Sequence, residues 1–129
     1  MRTLADIADM VTEWQNALGL GQWQIRISDA RPYGTRTFRV EHLRQYREVQ
    51  FRVYPCALTM AADRCWRLVG HEMLHVLFFP VEEALGEDIG EGQVYDRWHN
   101  AEEAAVDGLS VRLVELFPMP GKYAEALAN

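Results

Sequence analysis

Cysteine is scarce. Cys56 and Cys65 are the only two in 129 residues, and they form no Cys-x-x-Cys pair. Two thiols make no disulfide framework, so they are expected to stay reduced, in a cytoplasmic protein. No apolar run approaches the ~18–20 residues that cross a bilayer, and no membrane partner is expected. The first twenty residues carry Asp6, Asp9 and Glu13. A secretory leader needs a basic start and an apolar centre, so none is expected. Repeats and low-complexity tracts are missing. There is no glycine-rich phosphate loop, and Ser28 and Ser110 stand in no nucleophile elbow.

Positive charge is in deficit: 13 Lys+Arg against 19 Asp+Glu, a net −6. Such a surface repels nucleic acid unless its basic residues are segregated. Seven arginines, from Arg26 to Arg52, do fall between residues 22 and 54, against only Asp29, Glu41 and Glu48. No nucleic-acid motif accompanies them. They read as solvated strand faces and turns, and no nucleic-acid partner is expected.

What is present fits one globular domain over residues 1–129, with 49% hydrophobic and 25% charged residues. Thr3 and Asp6 make a capping pair, and Leu4, Ile7, Val11, Trp14 and Leu18 follow at helical spacing. Gly19 and Gly21 end that helix. Trp23, Ile25 and Ile27 alternate with polar residues, as in a half-buried strand. A second strand is expected from Thr35 to about Glu41 and a third from Glu48 to Tyr54, stopped by Pro55. Short gaps between them favour an antiparallel meander. Thr59 is expected to cap a helix that reaches Phe79 and ends at Pro80. Val81 to Gln93, with three glycines and five carboxylates, reads as an acidic loop. A last helix fits Val94 to Phe117, and a tail around Tyr123 to Leu127 folds back. The fold class is therefore α+β: an N-terminal helix, a small antiparallel three-stranded sheet, a central helix and a long C-terminal helix.

The central helix carries His71-Glu72-Met73-Leu74-His75, the pattern H-E-x-x-H. Only four histidines occur in the chain, so the match carries weight. On a helix, i and i+4 side chains share a face, and two imidazoles one turn apart can close on one Zn²⁺. Glu72 stands beside them, placed to take a proton from a metal-bound water and pass it to a leaving group. A catalytic zinc needs a third protein ligand and an open position. Both cysteines precede the motif, so the ligand is sought on the last helix. Glu103 and Asp107 are spaced i, i+4. Glu103 can bind while Asp107 accepts a hydrogen bond from the free ring nitrogen of His71. Glu102 is a rival that lacks such a partner four residues on, and Asp107 itself is another. Tyr95, His99, Glu103 and Asp107 form one stripe, so Tyr95 or His99 can offer a donor to an oxyanion. Ala101, Ala104, Ala105 and Gly108 are small enough to bring this helix close to the motif helix. Trp66, Val69, Met73, Leu77 and Phe78 are expected to supply core.

His71-Glu72-x-x-His75 followed by Glu103-x-x-x-Asp107 resembles the gluzincins, the thermolysin-like zinc peptidases. Their third ligand is the glutamate of an N-E-x-x-x-D segment on a later helix. The small members, single-domain minigluzincins and phage- or prophage-encoded metallopeptidase-like proteins, are similar in length and order of elements. The likeness covers Leu68 to Ser110 well, and more weakly the stretch Leu18 to Ile25. It implies a minimal zincin-like domain with His71, His75 and Glu103 on zinc, Glu72 as general base and Asp107 orienting His71. Where the larger enzymes have asparagine, this chain has Glu102. The resemblance also implies a peptide or protein substrate added as a strand along a sheet edge, with 48–54 as the candidate edge. Two other functions compete with peptide hydrolysis by this site. One is a metallopeptidase-like binding or regulatory protein, which has no need of Glu72. The other is an SprT-like peptidase with His99 as third ligand.

Overall fold

The computed structural model describes residues 1–43, 47–89 and 93–128, with only the backbone at 85–89, 93–95 and 125–128. Among these, four helices and one three-stranded sheet make an α+β domain: α1 (Leu4–Ala17), β1 (Gln24–Asp29), β2 (Phe38–Leu43), β3 (Glu48–Val53), α2 (Ala62–Ile89), α3 (Gln93–Leu116) and α4 (Gly121–Ala128). A 3-10 turn at Pro55–Leu58 joins β3 to α2.

α1 begins where the capping pair places it. The Asp6 amide donates to Thr3 Oγ1 at 3.3 Å, and the Thr3 amide donates to the Asp6 carboxylate at 2.8 Å. Such a cap contributes about 1 kcal/mol. Ile7, Met10, Val11 and Trp14 form the buried stripe, with Leu4 and Leu18 half-buried at its ends. Gly19, at φ +70°, takes the left-handed conformation that turns the chain toward β1.

The sheet is not the expected meander. Its order is β1-β3-β2, with β3 antiparallel to β2 and parallel to β1. β3 buries Val49, Phe51 and Val53 almost completely, whereas Ile25, Ile27 and Val40 on its neighbours are half-buried. The strand with the most apolar inner face takes the centre. Eight residues, 30–37, are enough chain to span the two ~4.8 Å strand spacings that this order requires. The segment 48–54 is therefore not an edge, and β1 and β2 are the edge strands. On the solvated face Arg26 pairs with Glu48 at 3.5 Å, while Arg39 and Arg52 both reach Glu41, at 3.3 and 3.4 Å. These arginines are the polar side of the strands, in pairs worth ~0–1 kcal/mol each. Arg44 lies outside the described residues.

α2 departs from expectation at both ends. Thr59 closes the 3-10 turn, its hydroxyl donating to the Cys56 carbonyl, and the helix starts at Ala62. It then runs through Pro80 to Ile89. Proline removes one backbone donor and crowds the carbonyl four residues back. Here Pro80 is exposed while Phe79 beside it is anchored, its ring stacked 5.0 Å from His42 and edge-on to Trp23. The packing of Phe79 anchors the helix just before the break, and the residues that follow, Val81, Glu83 and Ala84, are exposed. Most of the expected acidic loop is thus helix, and residues 90–92 lie outside the described ones.

The position of α2 is set by Trp14. Its ring lies 4.9 Å from Trp66, and its indole N–H donates to the Trp66 carbonyl at 3.0 Å. The same ring lies so close to Gly70 that a β-carbon there would stand 2.5 Å from it. Arg2 is buried and donates to the carbonyls of Ala57 and Met60, tying the N-terminus to the entry of α2. Tyr123 of α4 stacks on Trp66 and donates its hydroxyl to Glu13. Trp66, Val69 and Met73 are core as expected, but Leu77 is 41% exposed and Phe78 half-buried. Ala101, Ala104, Ala105 and Gly108 face outward; α3 instead turns Glu102, Val106 and Ser110 inward, one i, i+4 stripe. No helix among the described residues is long and apolar enough to cross a membrane.

Two outcomes follow from this packing. Gly70→Ala forces a methyl into the Trp14 ring and is expected to cost about 1–3 kcal/mol in chemical denaturation; unchanged stability would contradict the contact. Cys56 is exposed, whereas burial pushes the Cys65 thiol up to about 11, with Arg2 opposing. At pH 8 a thiol reagent should modify one cysteine quickly and the second only on unfolding. Because the folded thiol holds its proton more tightly than the unfolded one, stability should decline as pH rises from about 9 toward 11.

Candidate functional site

His71 and His75 stand one turn apart on α2, their ring centroids 5.1 Å apart. Glu103 of α3 reaches between them. Its Oε2 is 3.7 Å from His71 Nε2 and its Oε1 is 3.0 Å from His75 Nε2. The other nitrogen of each ring meets a different carboxylate: Asp107 Oδ1 lies 3.4 Å from His71 Nδ1, and Glu102 Oε2 lies 2.9 Å from His75 Nδ1. Each imidazole is held at Nδ1 and presents Nε2 toward Glu103. A ring that keeps its proton on Nδ1, against such a carboxylate, offers the Nε2 lone pair to a metal. His71, His75 and Glu103 each offer one ligand atom within 4.8 Å of the others, so the three can hold a metal ion.

Glu102, the rival ligand, has Val106 and no carboxylate four residues on, but its own carboxylate is almost fully buried and engages His75 Nδ1, while Glu103 beside it is half exposed. The sequence held a usable signal for this. Glu102, Val106 and Ser110 are the inward stripe of α3, and a charge in such a stripe must be paired.

Glu72 and His75 line a cavity of about 750 Å³ together with Glu82, His99, Glu102 and Glu103. Arg36 and the edge-strand residues Phe38, Arg39 and Val40 supply the sheet side of its wall. Burial pushes the Glu72 carboxyl up to about 7; the charge of His75 opposes this, that of Glu103 adds to it, and that of Arg36 opposes it. Burial also lowers the pKa of His71, as does the neighbouring His75, against the pull of Glu103 and Asp107. Both effects favour a neutral imidazole and a carboxyl able to exchange a proton near neutrality. His99 lines the cavity but groups with Glu82 and Glu102, not with His71, His75 and Glu103. The Tyr95 side chain lies outside the described residues. Comparison with family models, curated proteins and solved structures finds no match to this chain.

The two adjacent glutamates should behave oppositely in protein stripped of metal by a chelator. Glu102→Ala leaves His75 Nδ1 buried without its acceptor and is expected to cost about 1–3 kcal/mol in denaturant unfolding. Glu103→Ala removes a half-exposed side chain and should change stability by about 0.5 kcal/mol or less. Equal effects would contradict the assignment of inward and outward roles.

Proposed function

We propose that the protein is a zinc-dependent peptidase of minimal zincin architecture, similar to the gluzincins. The observation that carries this is the convergence of His71 Nε2, His75 Nε2 and the Glu103 carboxylate, with both Nδ1 atoms engaged by carboxylates. Two imidazoles and one carboxylate fit zinc, and the outer carboxylates fit the usual support of its histidines. Zinc held there supplies a Lewis acid that polarises a carbonyl and brings the pKa of water down to roughly 7.

The chain's own residues provide the rest. Glu72 takes the proton of the attacking water at its carboxylate and returns it to the departing amine. Burial, which raises the Glu72 carboxyl, helps it hold the proton between the two steps. His99 lines the same cavity and is our candidate donor to the oxyanion that forms at the scissile carbonyl. An extended substrate adds along β2, the edge strand whose residues line the cavity, rather than along 48–54.

Glu72→Gln keeps size and helix propensity and removes the basic oxygen. It should leave zinc content unchanged and lower cleavage of an unstructured protein by roughly 10²–10⁴-fold. Equal cleavage by the variant would refute the mechanism. A wild type that holds its zinc and cleaves nothing in a broad peptide library would make the protein a binding module instead. Asp107→Asn should weaken zinc affinity by roughly 10–100-fold, measured by competition with a chelator.

A further inference from the structure

We infer that Glu82, His99 and Glu102 form a second divalent-cation site, joined to the first through Glu102. The three residues come from two helices. His99 and Glu102 are i, i+3 on α3, and Glu82 lies on the turn of α2 just past Pro80. One ligand atom of each lies within 4.8 Å of the others. All three side chains line the cavity, so a cation reaches them from solvent by the route a substrate takes.

Glu102 is the independent observation. Its side chain is 2% exposed, and its two oxygens are used unequally. Oε2 accepts from His75 Nδ1, while Oε1 is buried with no hydrogen-bond partner among the described residues. A buried carboxylate oxygen without a partner is costly, and native structures rarely tolerate one unless an ion or water completes it. The carboxylate belongs to a trio already at ligand distance, so a cation there satisfies it. One imidazole and two carboxylates are a borderline-to-hard donor set, suited to Zn²⁺, Co²⁺ or Mn²⁺ rather than to soft Cu(I). The same carboxylate then holds His75 through one oxygen and the second cation through the group it shares with Glu82 and His99, so occupancy of one site stiffens the other. The continuation of α2 past Pro80 acquires a purpose, since a helix ending at Phe79 would not bring Glu82 to this wall.

The test uses the full chain freed of metal by a chelator and titrated with Co²⁺, followed by calorimetry and visible absorption. The wild type should bind two equivalents. His99→Ala and Glu82→Gln should each bind one, His71→Ala should retain one, and His71→Ala/His99→Ala should bind none, with circular dichroism verifying that each variant is folded. Glu82→Gln keeps the shape of the side chain and guards against a folding artefact. A single wild-type equivalent that His71→Ala removes and His99→Ala leaves would overturn the second site while sparing the peptidase reading. A single equivalent that His99→Ala removes and His71→Ala leaves would uphold the second site and overturn the ligand set of the first. No binding at all would overturn both.

Discussion

Two imidazoles of one helix are each held at both ring nitrogens by carboxylates of another, and the site depends on that grip. α2 presents His71 and His75; α3 answers with Glu102, Glu103 and Asp107. Carboxylates concentrated so closely repel one another. Glu72, Glu82, Glu102 and Glu103 share one cavity wall in a chain of net charge −6. Positive charge facing the cavity offsets that repulsion. Arg36 offers some from the sheet side, and the rise of Glu72 to about 7 shows that burial is not fully offset. A cavity wall that gathers this much negative charge attracts cations.

Apolar packing elsewhere keeps α2 in place for that grip. Trp14 lies close enough to α2 that only glycine fits at position 70, immediately before His71. Trp66 in turn donates to the Phe117 carbonyl and stacks on Tyr123, which links the motif helix to the end of α3 and to α4. The α2–α3 pairing is thereby closed at one end by aromatic contacts and along its middle by imidazole–carboxylate contacts. The rigid aromatic end determines where the polar middle can meet.

What could be read from the residues is what local rules govern. The Thr3 cap, the stripe of α1, the first and third strands and the shared face of residues 71 and 75 all follow from spacing and side-chain chemistry, whereas the second strand, expected from Thr35 to about Glu41, lies at Phe38–Leu43. The one-turn spacing of Glu103 and Asp107 is local too, but their contact with His71 depends on how α3 meets α2. What could not be read depends on relations between elements. Strand order needs to know which inner face is most deeply covered, and that put β3 in the centre. Pro80 looked like a terminus because its local cost is real, but Phe79 packing on His42 and Trp23 outweighs it. Glu102 stands as a rival ligand on sequence alone because the rotation of α3 about its axis is set by contact with α2. The outward turn of Ala101, Ala104 and Ala105 is the same rotation seen from the other side.

The central claim is that His71, His75 and Glu103 bind one zinc ion between α2 and α3. Diffraction from zinc-soaked crystals on either side of the zinc absorption edge tests it most directly. An anomalous peak is expected, bonded to Nε2 of both histidines at about 2.0–2.1 Å and to the Glu103 carboxylate at about 2.0–2.2 Å. A peak ligated by His99 in place of Glu103, or no peak between the two histidines, would contradict it.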